Sequence, residues 1–256
     1  MAISYERARS AVEKIKRHQS KCLVIHYACQ SLYDDREGLS PSVSNIVVKD
    51  FANDQTVSFA AHIVAERLGI AKEDITARFA DIEKVLLEDF YEFVRNHNGD
   101  YWLHWNMINI QYGFETLAHR YNVLTGRSAP NIDIDNRINI AGILYGLYGE
   151  GYVAVPHMPN LMTLNGGVRR DFIPGAEEVE VFRAGEYARL HASTVSKVKF
   201  FSDVVELVLD RKLRTAKSTL PMKIERSLDS LLAKAVALAA AVYTIIDLSV
   251  KFGGLF

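Results

Sequence analysis

The period of the apolar positions changes several times along the chain, and each change marks an element. Over residues 3–20, Tyr5, Ala8, Val12 and Ile15 recur at helical spacing among Arg7, Arg9, Lys14, Lys16 and Arg17. This pattern predicts a basic amphipathic helix docked by its apolar side. The runs CLVIHYA (22–28), SNIVVKDF (44–51) and TVSFAAHI (56–63) are short and rich in β-branched and aromatic residues. The turn-forming stretches DDREGLSPS and ANDQ separate them. They predict three consecutive strands joined as an antiparallel meander.

A helical period returns with Ile82, Val85, Leu86, Leu87, Phe90, Phe93 and Val94, followed by a fourth strand, DYWLHW, and a helix from Tyr112 to Leu124 that stops at Gly126. A strand that returns beside the first after a helix makes a right-handed crossover and a mixed sheet. NIDIDN (131–136) reads as short and extended, and INIAGILYGLYG as a helix ending at Gly149. Residues 150–175 are rich in proline and glycine, with a short helix in NLMTLNG. The stretch from GAEEVEVF onward reads as a hinge and then one long helix from about Tyr187 to Leu213. The expected fold class is therefore α/β, a mixed sheet flanked by helices.

Composition narrows the function classes. A chain of 256 residues with 49% hydrophobic content buries a sizeable core without staples. Its 30 Lys and Arg against 31 Asp and Glu set up no global field toward nucleic acid or anionic lipid, so any polyanion site is a local patch. Cys22 and Cys29 stand at an even and an odd position of the first strand, which points them to opposite faces and argues against a bridge. Unpaired thiols favour a cytoplasmic setting. The first 21 residues are charged throughout and carry no apolar signal core.

The stretch YWLHWNMINIQYGF (101–114) runs from an apolar strand straight toward a helix. With its neighbours, it resembles the second motif, H-N-x-x-F-D, of the histidine-type 3'-5' exonucleases of the ribonuclease H-like superfamily, which use three aspartates and a glutamate. ACQSLYDDREGLSPSVSNIVVKD has the layout of that family's first motif and second strand. NIDIDNRINIAGIL is similar to a further family segment, and HASTVSKVKFFSDVVEL to the third motif, H-x-A-x-x-D. The resemblance covers roughly residues 22–210 and implies a ribonuclease H-like sheet.

In that family four carboxylates hold two divalent cations about 3.5 to 4 Å apart, and the histidine acts as general base. Carried onto this chain, the first aspartate falls on Ala28, the glutamate on Gln30, the second aspartate on Asn109 and the last on Ser196, while the histidine is retained as His191. A one-residue shift of register brings in no carboxylate either. Mg²⁺ and Mn²⁺ need anionic oxygen, so the resemblance implies a degenerate site with no metal or other cofactor expected. Asp34 and Asp35, with Glu37, and the pair Asp133 and Asp135 are the fallback ligands of an active nuclease with a rearranged set.

Residues expected to line the inherited cleft as ligand-binding candidates are His26, Gln30, His104, Asn106, Asn109, Tyr112, His191 and Lys197, with Trp102 and Trp105 beside them. Their aromatic faces offer stacking for a base, against which stands plain core packing. His26, His104, His119 and His191 lack the close spacing of a zinc motif. Arg169 and Arg170, Lys197 and Lys199, and Arg211, Lys212, Arg214 and Lys217 form basic clusters, read either as phosphate contacts or as solvated surface.

Past Pro221 the chain reads as an apolar helix. Leu228, Leu231, Ala235, Leu238, Val242, Ile245, Ser249 and Phe252 keep heptad spacing. The uninterrupted apolar stretch, Ala235 to Ile246, is shorter than the roughly 20 residues a bilayer span needs, and extending it takes in Asp247 and Lys251. The expected organisation is an amphipathic helix (1–21), an exonuclease-like domain (22–217) and a C-terminal helix (218–256). The leading expectation is a pseudo-exonuclease that binds nucleic acid, nucleotide or protein and self-associates through its C-terminal helix. The alternatives are the rearranged nuclease, using Mg or Mn, and a membrane-associated effector with a ligand-sensing body.

Overall fold

The computed structural model describes residues 3–30, 41–108 and 112–216, together with Lys234. Within them, β1 (Cys22–Cys29), β2 (Val43–Asp50), β3 (Thr56–Ala60), β4 (Tyr101–His104) and β5 (Arg137–Asn139) form one mixed sheet in the order β3-β2-β1-β4-β5. β1, β2 and β3 pair antiparallel, as the meander predicts. β4 lies parallel to β1, with His104 opposite Ile25, and β5 lies parallel to β4.

Alternation along β1 divides the interior in two. Leu23, Ile25 and Tyr27 join a core with helices α2 (Ala61–Arg67), α3 (Phe79–Asn96) and α4 (Phe114–Thr125). Cys22 and Val24 enter the opposite core, with α1 (Tyr5–Arg17), α5 (Ile140–Tyr148), α6 (His157–Leu164) and α8 (Tyr187–Leu209). The remaining helix, α7 (Gly175–Arg183), packs on α8. The two thiols accordingly face opposite cores and are not joined by a disulfide. Cys22 donates from Sγ to the carbonyl of His18 at 3.3 Å, and burial pushes its thiol up to about 12.

The amphipathic period of the first segment forms α1, which starts where the Ser4 hydroxyl accepts the Arg7 N–H and ends in a basic turn of Lys14, Lys16 and Arg17. It packs against α5 at Ala8 and Gly146. α8 crosses β1 and β2 on the same side of the sheet. Glu83 of α3 is fully buried. It accepts the Val43 N–H at 2.7 Å and the Arg120 Nε–H at 2.8 Å, and so ties α3 and α4 to the start of β2.

Several boundaries differ from the sequence reading. TVSFAAHI is not one strand: β3 ends at Ala60, and Ala61, Val64 and Ala65 bury at helical spacing as the first face of α2, so His62 is helical. NIDIDN does not run extended throughout. Asp133 caps a 3-10 turn over Ile134–Asn136, and the three-residue β5 comes next, too short to show a period of its own. The supposed hinge before α8 is itself the helix α7, and the break is the three residues 184–186, with Gly185 at φ 72°. α8 stops at Leu209, after which Leu213 re-enters the core and the Ala216 N–H bonds the Tyr152 carbonyl at 2.8 Å. Apart from Lys234, the expected C-terminal helix lies outside the described residues. Among the described residues, no helix is long and apolar enough to cross a membrane.

Candidate functional site

The two parallel neighbours β1 and β4 place the ends of their chains side by side, the position at which open α/β sheets hold ligands. On the α8 side of that edge, His26 of β1 is buried with its ring edge-on to Phe201 of α8, centroids 5.3 Å apart. The Tyr112 hydroxyl lies 2.9 Å from the Tyr27 carbonyl and 3.0 Å from His26 Nδ1. A carbonyl only accepts, so the phenol proton goes to Tyr27 and His26 donates from Nδ1. Its Nε2 is then the unprotonated nitrogen. Burial holds the imidazole well below its ordinary value, with the Lys197 charge acting the same way. Tyr112 also stacks on Tyr27 with centroids 4.3 Å apart, and the Tyr27 hydroxyl accepts the Gly113 N–H at 3.0 Å, which fixes the start of α4.

Lys197 comes from the middle of α8 and is only 3% exposed. Its Nζ donates to Glu178 Oε1 of α7 at 2.6 Å and sits 5.4 Å from the Phe172 ring centroid. The Ser193 hydroxyl reaches the same carboxylate oxygen at 3.2 Å while accepting the Ile173 N–H at 3.1 Å. A buried ion pair held by extra hydrogen bonds of this kind resists separation, because removal of one partner strands the other's charge. Glu178 escaped the sequence reading because it lies in the stretch taken for a hinge. Its field reaches Tyr112, so it belongs to the same constellation as His26.

The positions carried over from the exonuclease motifs distribute unevenly. Ala28 is buried near the end of β1, and Gln30 lies just beyond it, half-buried, its N–H bonding the Ser42 carbonyl at 2.8 Å. Ser196 and His191 both lie on α8, and the Ser196 hydroxyl and the His191 Nε2 are shielded without a hydrogen-bond partner. His191 does not approach His26. Its ring lies 5.2 Å from that of His62, across the α2–α8 contact. Asn109 and the acidic loop with Asp34, Asp35 and Glu37 lie outside the described residues.

Two expectations need correction, for His104 and for the pair Asp133 and Asp135, and for the tryptophans core packing is what the structure shows. His104 does not line the cleft: its strand register pairs it with Ile25, on the face away from His26, and it packs edge-on to Phe114 while accepting the Met107 N–H at Nδ1. Burial lowers its pKa to about 3. Trp102 is a core residue of that same side, and Trp105 stacks on Phe201 in the other core, so neither presents a face to a base. Asp133 and Asp135 precede β5, at the end of the parallel strands opposite the site, and Asp133 is occupied in capping its turn. Asn106, at φ 54°, is exposed and exchanges hydrogen bonds with Asn139 at 3.1 and 3.2 Å, which clips the ends of β4 and β5 together.

One member of each basic cluster is paired with a carboxylate, Lys197 with Glu178 as above. Arg169 pairs with Asp203, and Lys212 with Asp210. His119 is exposed on α4, apart from the other histidines. Among the described residues, no group of three or more His, Cys, Asp or Glu is placed to hold a metal ion. The chain gives no match to any family model, to any curated protein or to any solved structure.

Proposed function

We propose that this chain is built on the ribonuclease H-like exonuclease plan but binds rather than cuts, and that it self-associates through residues 218–256. The strand order, with a meander on one side of β1 and parallel neighbours on the other, supports that plan, as does the position of His191 on the last long described helix.

The observation that carries the loss of chemistry is Lys197. Where a two-metal nuclease gathers carboxylates, this edge has the methyl of Ala28 and an ammonium group buried against Glu178. A divalent cation brought here meets a fixed positive charge, and Glu178, the carboxylate beside it among the described residues, is already matched by it. The remaining groups, a neutral His26 and two tyrosines whose hydroxyls bond the backbone of Tyr27 and of Gly113, hold shape more than they move protons. With both tryptophans in the cores and Arg169, Lys197 and Lys212 each paired to a carboxylate, a protein surface suits the binding role better than a nucleic-acid strand does.

The test is cleavage of end-labelled single- and double-stranded DNA and RNA in Mg²⁺, Mn²⁺ or EDTA, with His191→Ala on the same footing. No trimming in any condition is expected. Metal-dependent trimming that disappears in His191→Ala overturns the proposal. Single-strand binding that weakens steeply with salt replaces the protein partner by a nucleic acid.

A further inference from the structure

Charge is balanced over the whole chain but not along α1. Residues 7–21 carry six Lys and Arg against one Glu, where the full sequence has 30 against 31 acidic residues. Elsewhere the fold matches its cations: of the ten arginines from Arg67 to Arg189, nine form an ion pair and Arg170 does not. Arg7, Lys16, Arg17 and Lys21 are exposed, and none of them has an ion pair among the described residues. Lys14 is turned back onto the body, with Nζ 5.1 Å from the Tyr101 ring centroid and 3.4 Å from the Asp135 carbonyl. The helix dipole accounts for only part of this charge. It favours Lys16 and Arg17 in the last turn, but Lys21 lies beyond the helix, and Arg7 stands in the first turn, where the dipole opposes a cation. We propose that this outward face of α1 docks the protein on an anionic lipid surface.

The apolar side of the helix is already spent, since Ala8 and Ile15 are buried in the core and Val12 packs against it. Docking is therefore electrostatic, with the helix lying on the headgroups rather than sinking among the acyl chains. Two observations favour lipid over a nucleic-acid strand. The tyrosine of the helix, Tyr5, packs on the core and offers no free face on which to stack a base. The chain also leaves the body on this side of the sheet: Leu213 and Tyr152 belong to the core that α1 covers, the Ala216 N–H bonds the Tyr152 carbonyl, and the apolar run Ala235 to Ile246 lies further along the sequence. A basic patch on the same side as a short apolar segment supplies the two signals that stable membrane attachment takes. The docking contact uses no group of the Lys197 constellation, so it stands or falls apart from the binding role proposed above.

The experiment is sedimentation of the full, untagged chain with vesicles of phosphatidylcholine alone or with about one-third phosphatidylserine, at about 0.1 M and about 0.5 M salt. The chain is expected to sediment with the anionic vesicles at the lower salt, to be released at the higher salt and to ignore the neutral vesicles. Arg17→Gln combined with Lys21→Gln removes two charges, each worth about a factor of five beside an anionic membrane, and weakens binding roughly twenty-five-fold. Lys72→Gln combined with Lys84→Gln takes the same charge from exposed positions on the α3 side of the sheet and leaves binding unchanged. Circular dichroism checks that both variants keep the fold, and if either does not, the lipid and salt dependence of the parent decides. No sedimentation with anionic vesicles, equal sedimentation with neutral ones, or an equal loss in the Lys72 and Lys84 variant overturns the proposal. Duplex DNA that strips the chain from the vesicles at matched phosphate concentration overturns it as well and gives the face to nucleic acid.

Discussion

A buried histidine that accepts a backbone N–H is locked in one protonation state. His104 is 2% exposed, and its Nδ1 takes the Met107 N–H at 3.1 Å, a bond that protonation at that nitrogen destroys. Burial is the main cause of its depressed pKa of about 3, the Arg137 charge adds to it, and Glu115 opposes it. Between the folded value and the ordinary value of 6.5, the unfolded chain binds a proton that the folded chain refuses, so stability rises with pH across that window. The contribution is complete above the ordinary value and is lost progressively as pH falls below it. From pH 7 to pH 5 the loss from this one group is about 2 kcal/mol. Urea unfolding at the two pH values is expected to show that much less acid destabilisation in His104→Asn than in the parent. Equal acid sensitivity in the two proteins rejects the locked imidazole.

Helix docking depends on how closely two backbones approach, and α1 against α5 is a close case. A Cβ at Gly146 stands 2.7 Å from the Ala8 Cβ and 3.0 and 3.1 Å from the carbonyls of Ile3 and Ser4. The last two are backbone atoms that cannot rotate away. Gly146→Ala therefore pushes α1 outward at a cost of about 1–3 kcal/mol, from which alanine's helix preference returns up to about 1 kcal/mol. Chemical denaturation is expected to show net destabilisation, and a neutral or stabilised variant means that α1 is not held at this distance. α1 itself was legible, because four apolar residues at helical spacing announce a docking face. β1, β2 and β4 were legible for a similar reason, as buried runs bounded by turns. β5 was not, since three residues carry no period, and α7 was not, because its polar EEVE stretch masked the buried pair Val181 and Phe182. Reading the third strand as continuing through His62 hid the contact with His191. Long-range pairs such as Lys197 with Glu178, or His62 with His191, leave no periodic trace in the sequence and appear only when the helices have been placed.

At the scale of the whole molecule, the last continuous stretch of described residues is held to the body: Leu213 packs into one core, and the Ala216 N–H anchors the chain on Tyr152. Further along, the sequence carries a heptad seam from Leu228 to Phe252, with Asp247 and Lys251 off the seam toward its end. A seam of that kind needs a cover, and a second copy of the same helix supplies one with matching spacing at every turn. The expected outcome is that the full chain runs as an oligomer in light scattering coupled to gel filtration, and that Leu238→Glu, placed in the middle of the seam, returns it to a monomer with an unchanged circular dichroism spectrum. A charge at that position leaves the body's fold unchanged if the body does not use the seam, so an unchanged circular dichroism spectrum with a changed mass isolates association from folding. A full chain that is monomeric at tens of micromolar ends the self-association reading. If the same chain then floats with liposomes, and Leu238→Glu does not, the apolar segment is covered by lipid instead, and the body becomes the soluble part of a membrane-associated effector.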